Sequence, residues 1–371
     1  MENIVSLLPA IIAIVLALIT KETYFSLIIG IIIGGLLFAS GDILLAGKTI
    51  LFNESNGLIA NLTNESHICI LLFVVMLGIM VMLIRKSGAA TAFARFTSKY
   101  IKSAAGAKLA AFLMGVLIFI DDGFNCLSVG TALSPVTDKY KISRSKLAYI
   151  IDSTAAPICI IAPISSWAAA VSYSLPSDYN VNGFTLFLHT IPYNLYAFGT
   201  LFLLIIVIVS NRDFGPMRAL EEKALEGELG NETADKLSED SEDKKGKAMD
   251  LIIPMLFLIV ACITMMFAFG GGFSGASIKD AFANTNAAMA LVSGSIITII
   301  FMFAFYLIRG VMSLHEFMEC IPAGWSAFVA PMIILVLAWT LSGMTSLLGA
   351  GQFIGNIMSM SAVCPFTANV F

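Results

Sequence analysis

The chain has 371 residues, of which 58% are hydrophobic and 12% are charged, and its formal net charge is -4. A soluble domain carries roughly 25% charged residues, so this composition excludes an ordinary water-soluble globular protein and indicates an integral membrane protein. The basic residues form no patch interleaved with aromatic side chains, so the predicted partner is the lipid bilayer and not nucleic acid. The six cysteines are far apart and form no CxxC pair, and we interpret them as small apolar side chains.

Apolar runs dominate the sequence and predict an all-α polytopic membrane protein. A bilayer is crossed by roughly 20 apolar residues, and no basic region or cleavage site marks the first run as a signal peptide. The runs lie at about 4–19, 24–39, 68–84, 109–136, 147–175, 191–210, 250–269, 288–308 and 325–348.

Two strongly basic loops predict the orientation of the chain in the membrane. Loop 85–108 contains six basic residues and no acidic residue. Loop 137–146 contains four basic residues and one acidic residue, Asp138. Because basic loops stay on the cytoplasmic side, we predict that both loops are cytoplasmic.

The run between these loops must then enter and leave the membrane on the same side. From Lys108 to Asp121 there are about 13 residues, or roughly 20 Å of helix, which is shorter than the roughly 30 Å hydrocarbon core. Two full spans would need more apolar length than the run contains. We therefore predict a re-entrant hairpin over about 109–136, with residues 120–123 at its tip.

The next run, at about 147–175, is predicted to be a broken helix. It contains Pro157 and Pro163, and each proline removes a backbone donor and clashes with the carbonyl group four residues earlier. Irregular backbone inside a membrane is tolerated only where protein or water surrounds it. The tip of the hairpin and the broken helix are therefore both candidate positions for a site.

A charged stretch at 211–249 divides the chain into three predicted parts. It contains seven basic and eleven acidic residues, and we interpret it as a cytoplasmic, partly disordered linker. Residues 1–210 form a first membrane repeat, and residues 250–371 form a second repeat. Secondary transporters are often built from inverted repeats, and the second half lacks a matching hairpin and broken helix. We therefore expect that the second repeat is incomplete and that the protein continues for about 100 residues or more beyond Phe371.

Carboxylates and neutral oxygens concentrate at the tip of the predicted hairpin and in the predicted broken helix. Ionisable side chains inside a membrane are costly and usually functional, and hard cations prefer oxygen ligands. A carboxylate at low dielectric holds either a proton or a cation, which gives exchange without a cofactor. The candidate cation or proton ligands are Asp121, Asp122, Asn125, Asp152, Ser153 and Thr154, and the three carboxylates among them are the candidate metal ligands. An alternative for Asp152 is a helix cap.

Two segments at the predicted breaks resemble the NhaC family of Na⁺/H⁺ antiporters. They are residues 119–130 (FIDDGFNCLSVG), continuing to 134–138 (SPVTD), and residues 146–157 (KLAYIIDSTAAP), continuing to 162–167 (APISSW). The resemblance implies the ion transporter superfamily architecture and the inner membrane of a bacterium or archaeon. It also implies that Na⁺ and H⁺ are the transported ions. Members of this family continue with a second hairpin and broken helix, which supports the expected continuation beyond Phe371.

Other functions remain open from the sequence. The resembled family includes exchangers of organic anions such as malate and lactate, so an organic-anion or amino-acid exchanger is the alternative transporter. An intramembrane hydrolase needs a metal-binding helix, a Ser/His pair or a two-span aspartyl dyad, and the sequence shows none of these patterns, so we predict no enzyme. The oligomeric state, including a homodimer, stays open.

Overall fold

A computed structural model describes residues 4–119, 122–162, 165, 167, 183–210, 212–230 and 246–360. The regular structure in these ranges is helical, with no strand among the residues described. The prediction of an all-α polytopic membrane protein is therefore confirmed.

Most of the described α-helices follow one another after short connections, and a 3₁₀ turn at Ile4–Leu7 precedes the first. In chain order they are α1 (Leu8–Thr20), α2 (Thr23–Phe38), α3 (Ile43–Phe52), α4 (Leu58–Thr63), α5 (Glu65–Ser87), α6 (Ala89–Ser98), α7 (Ala104–Leu117), α8 (Asp122–Lys139), α9 (Arg144–Ile161), α10 (Gly183–Thr190), α11 (Leu195–Ser210), α12 (Pro216–Glu226), α13 (Met249–Phe269), α14 (Ile278–Ala283), α15 (Ala287–Ile308), α16 (Leu314–Leu347) and α17 (Ala350–Met360).

Four helices in the described part of the chain, α5, α13, α15 and α16, are long and apolar enough to cross a membrane. Two bent pairs could each supply one more span: α2 with α3, at 119°, and residues 186–193 with α11, at 47°. Large apolar side chains stay exposed on these helices, for example Val209 at 76% and Ile308 at 85%. Surface of this kind requires a lipid environment.

The contacts between residues divide the chain into two compact units, and the first unit contains both ends of the chain. This unit contains residues 1–71 and 327–371. Within it, α1 packs against α2, where a Cβ on Gly30 would lie 2.9 Å from the Pro9 carbonyl oxygen. The ring of His67 stacks on that of Trp339, with centroids 3.9 Å apart. The predicted repeats, which separate the two ends of the chain, stay a prediction.

The second unit contains residues 72–326 and all the described candidate ligands. Helices α7, α8 and α9 pack against one another, and α13 packs along α15. At the start of α13 the buried carboxylate of Asp250 lies 2.7 Å from the Arg309 guanidinium, and the Tyr306 hydroxyl donates to the Asp250 carbonyl oxygen at 2.7 Å. These polar contacts join the start of α13 to the end of α15.

The predicted linker contains a helix that the sequence analysis did not anticipate. Helix α12 lies next to loop 137–146, where the Ser143 amide donates to the Glu221 carboxylate at 2.8 Å. Lys146, whose side chain is 1% exposed, forms an ion pair with Asp213. Residues 231–245 of the linker lie outside the described residues. The first part of the linker is therefore attached to the start of α9.

Candidate functional site

The predicted hairpin corresponds to two short helices, α7 and α8, which pack against each other. At one end, the Tyr140 hydroxyl after α8 donates to the carbonyl oxygen of Ile101 before α7. At the other end, the side chain of Asn125 in α8 reaches back to α7. The chain therefore returns to the level at which it started, as a hairpin requires, while its re-entry into a membrane stays a prediction.

Asn125 fixes the end of this hairpin. Its Nδ2 donates to the carbonyl oxygens of Gly115 at 2.6 Å and Ile118 at 2.8 Å, where α7 ends. Both carbonyl groups would otherwise lack partners at a helix terminus. Because the two neighbours are acceptors, only the amide nitrogen can face them, so the orientation of the amide is determined.

Two buried oxygens in the first two turns of α8 have no hydrogen-bond partner in the described part of the chain. They are Oδ1 of Asn125, whose residue is 0% exposed, and Oγ of Ser128, whose residue is 2% exposed. Residues three apart share one face of a helix, so both oxygens lie on the same side of α8. Buried polar atoms are normally paired, and an unpaired couple of this kind is suited to bind a small cation or a water molecule.

Thr154 connects α9 to the same point. A Cβ on Gly115 would lie 2.5 Å from Thr154 Oγ1, so only glycine allows α7 and α9 to approach this closely. The Thr154 hydroxyl bonds to the carbonyl oxygens of its own helix, at Ile150 (2.8 Å) and Ile151 (2.9 Å). A hydroxyl that donates in this way keeps a lone pair for a cation. Ser153 is also buried, at 8% exposure.

Asp122 is half-buried at the first turn of α8. One carboxylate oxygen accepts from the Gly123 amide at 3.0 Å, and the other lies 3.4 Å from the indole nitrogen of Trp167. Trp167 belongs to the second motif, so this contact joins the two predicted motifs. Asp121, the neighbouring candidate, lies outside the described residues.

Asp152 does not share the burial of Thr154, which follows it by two residues in α9. Its side chain is exposed, on a stripe of α9 that also contains Ser145 and Ala148. No three His, Cys, Asp or Glu side chains are grouped in the part of the chain that the structure describes. The cluster of three carboxylates at Asp121, Asp122 and Asp152 therefore stays a prediction.

The helix break predicted at Pro157 is wrong. Helix α9 continues through Pro157 for four residues, to Ile161, and Pro157 is buried within it. A proline removes one helical hydrogen bond, and the close packing of α9 against α7 and α8 compensates for that loss. The helix ends at Ile161, and its C-cap Ala162 directly precedes Pro163, which lies outside the described residues.

Comparison with known proteins gives the family. Residues 177–368, just over half of the chain, match the Na⁺/H⁺ antiporter family. This protein belongs to the Na⁺/H⁺ antiporter family. It is also 33% identical, over 369 residues, to an uncharacterized protein of Haemophilus influenzae, covering 96% of this chain and 70% of that relative. No solved structure matches the chain.

The antiporter family match and the two motifs cover different parts of the chain. The match begins at residue 177, whereas the segments that resemble NhaC end at Trp167. Membership therefore supports a membrane transporter of the antiporter type and leaves the narrower NhaC assignment as a prediction.

Sequence reasoning missed three residues of this antiporter's candidate site: Gly115, Ser128 and Trp167. Ser128 could have been found, because it follows Asn125 by three residues and therefore shares its helix face. Gly115 acts through a contact with another helix, which no local pattern in the sequence indicates. Trp167 lies in the second motif, but its contact with Asp122 depends on how the chain folds.

Proposed function

We propose that this protein exchanges Na⁺ for H⁺ across the cytoplasmic membrane of a bacterium or archaeon. The single observation that carries the proposal is the pair of buried oxygens at Asn125 and Ser128, which have no partner among the described residues, on the helix that begins with Asp122. The match to the Na⁺/H⁺ antiporter family supports the same assignment.

The chemistry requires a site that holds a cation or a proton but not both. Neutral oxygens from Asn125, Ser128 and Thr154 replace part of the hydration shell of Na⁺, since hard cations prefer oxygen ligands. The carboxylates of Asp121 and Asp122 supply charge and bind the competing proton. Binding one ion therefore releases the other, which is the exchange step.

The exposed carboxylate of Asp152 has a separate role in this proposal. A charged side chain in a membrane protein faces water or other protein groups rather than lipid. We therefore assign Asp152 to the water-accessible route to the site, with Ser153 buried behind it. Rocking of the hairpin and of the end of α9 would provide access to the site from the two sides of the membrane in turn.

The test is Na⁺-induced proton release from everted membrane vesicles that contain the full-length protein. The wild type is expected to respond to Na⁺, whereas Asp122→Asn is expected to lose the response. Ser128→Ala removes one neutral ligand and is expected to raise the Na⁺ concentration for half-maximal exchange about tenfold, which corresponds to about 1.4 kcal/mol.

Ser134→Ala is the matched control, because the Ser134 hydroxyl on the same helix donates to the Gly130 carbonyl oxygen at 2.6 Å. It is expected to leave the response unchanged. Na⁺/H⁺ exchange that persists in Asp122→Asn would contradict the proposed ion site. Proton movement driven by malate, lactate or amino acids, and not by Na⁺, would favour the alternative exchanger instead.

A further inference from the structure

A cavity of about 440 Å³ lies between α6 and the start of α13, away from the candidate ion site. Three cationic side chains line it: Arg95, Lys99 and Lys247. All three are exposed, and none of the residues that line the cavity is acidic. The cavity is therefore a positively charged surface site.

The positive charge of this cavity is not balanced by nearby acids in the described part of the chain. The carboxylate nearest to Lys247 along the sequence belongs to Asp250. It accepts from the backbone amide of Lys247 at 2.7 Å and pairs with Arg309. Arg95, Lys99 and Lys247 make no side-chain ion pair with a described residue. Three uncompensated cations around one cavity indicate an anionic ligand.

The rest of the cavity is apolar. Phe96, Met249 and Ile252 line it, and the Phe96 ring lies 5.2 Å from the exposed ring of Tyr100. The sequence analysis did not anticipate this grouping of basic and aromatic side chains, which is typical of the membrane interface. The loop that contains α6 is also the most basic loop of the chain and is predicted to be cytoplasmic.

We propose that this cavity binds the phosphate headgroup of an anionic phospholipid. The cations contact the phosphate, and the apolar side chains contact the first part of the acyl chains. Basic pockets between transmembrane helices on the cytoplasmic side suit anionic lipid headgroups, and the apolar lining favours a lipid over free phosphate. The site does not depend on which ion the protein transports.

The experiment measures phosphatidylglycerol bound to the full chain, purified in non-ionic detergent, by native mass spectrometry. Each Lys or Arg near an anionic membrane surface contributes about fivefold to binding, or about 1 kcal/mol. The variant with Arg95→Gln, Lys99→Gln and Lys247→Gln is therefore expected to lose about a hundredfold in affinity for phosphatidylglycerol. Phosphatidylcholine, which has no net charge, is expected to bind weakly to both proteins.

The matched control replaces Lys102, Lys139 and Arg212 by Gln. These cations are exposed and do not line the cavity, so the same change in net charge is expected to leave the affinity within twofold. Single-residue variants of the cavity keep the test valid if the triple variant does not fold. Each is expected to lose about fivefold in affinity for phosphatidylglycerol.

Three results would overturn the proposal. The first is equal phosphatidylglycerol affinity in the cavity variants and the control. The second is displacement of the lipid by low millimolar inorganic phosphate, which would identify free phosphate as the ligand. The third is a tenfold rise in lipid affinity when the acidic residues of 232–243 are neutralised, which would identify the linker itself as the occupant.

Discussion

Gly115 is the residue at which three helices of the candidate site meet. Its carbonyl oxygen accepts from Asn125, and its missing side chain leaves room for Thr154. Gly115→Ala would place a methyl group 2.5 Å from Thr154 Oγ1 and 3.0 Å from Thr154 Cβ. Overpacking of this kind costs about 1–3 kcal/mol, so we expect a lower thermal unfolding midpoint, measured by intrinsic tryptophan fluorescence in detergent.

The helix α11 residue Gly199 provides the control for this substitution. No atom lies within 4 Å of a Cβ at Gly199, so Gly199→Ala is expected to be neutral or slightly stabilising. Thr154→Ala added to Gly115→Ala removes the closest of the contacts and is expected to recover part of the loss. Equal destabilisation in the single and double variants would show that this contact does not limit the packing.

Single residues also show where sequence reasoning reached its limit. Asn125 was predicted as an oxygen ligand from its place beside the tip of the hairpin, and its buried side-chain oxygen has no partner among the described residues. Asp152 was predicted to share that cluster, but its side chain is exposed on α9. Hydropathy detects that a carboxylate lies in an apolar run, whereas the face that it occupies depends on how three helices pack.

At the scale of elements, the long apolar runs were predicted closely. The runs 250–269 and 288–308 correspond to α13 (Met249–Phe269) and α15 (Ala287–Ile308). The hairpin helices α7 and α8 were predicted from loop charges and run length, because no long span fits between two loops on one side. Short and amphipathic helices such as α6 and α12 were missed, since their pattern resembles that of a charged loop.

The attachment of α12 to the start of α9 depends on a buried ion pair. Asp213→Asn would leave the Lys146 ammonium, which is 1% exposed, beside a neutral amide. Breaking a buried pair costs about 3–5 kcal/mol, so we expect α12 to detach more often. Hydrogen exchange of the amides in Pro216–Glu226 is expected to accelerate by about a hundredfold or more, whereas the membrane helices keep their protection.

Glu222→Gln is the control for this attachment. The Arg218–Glu222 pair within α12 is largely exposed, with side chains 74% and 63% exposed, and a pair of this kind contributes little. Exchange in α12 is expected to stay near the wild-type rate. Slow exchange in both variants would show that the Lys146–Asp213 pair does not hold the helix.

At the scale of the whole molecule, charged segments that are distant in sequence lie together in the second unit. The Tyr140 hydroxyl joins loop 137–146 to Ile101, and the Lys141 ammonium donates to the Leu225 carbonyl oxygen at 3.0 Å. All of these segments were predicted to be cytoplasmic from their charge. Their contacts require them to lie on one side of the membrane, whichever side that is.

This requirement can be tested by labelling single cysteines in a variant that lacks the six native cysteines. Lys102→Cys, Lys139→Cys and Glu226→Cys are expected to react with a membrane-impermeant maleimide in everted vesicles and not in intact cells, because basic loops stay in the cytoplasm. Ser274→Cys lies beyond the far end of α13, a 21-residue helix about 32 Å long, and is expected to react only in intact cells. Opposite labelling of Lys102→Cys and Lys139→Cys would mean that the chain crosses the membrane between them, and Asp122 would then not lie at the tip of a re-entrant hairpin.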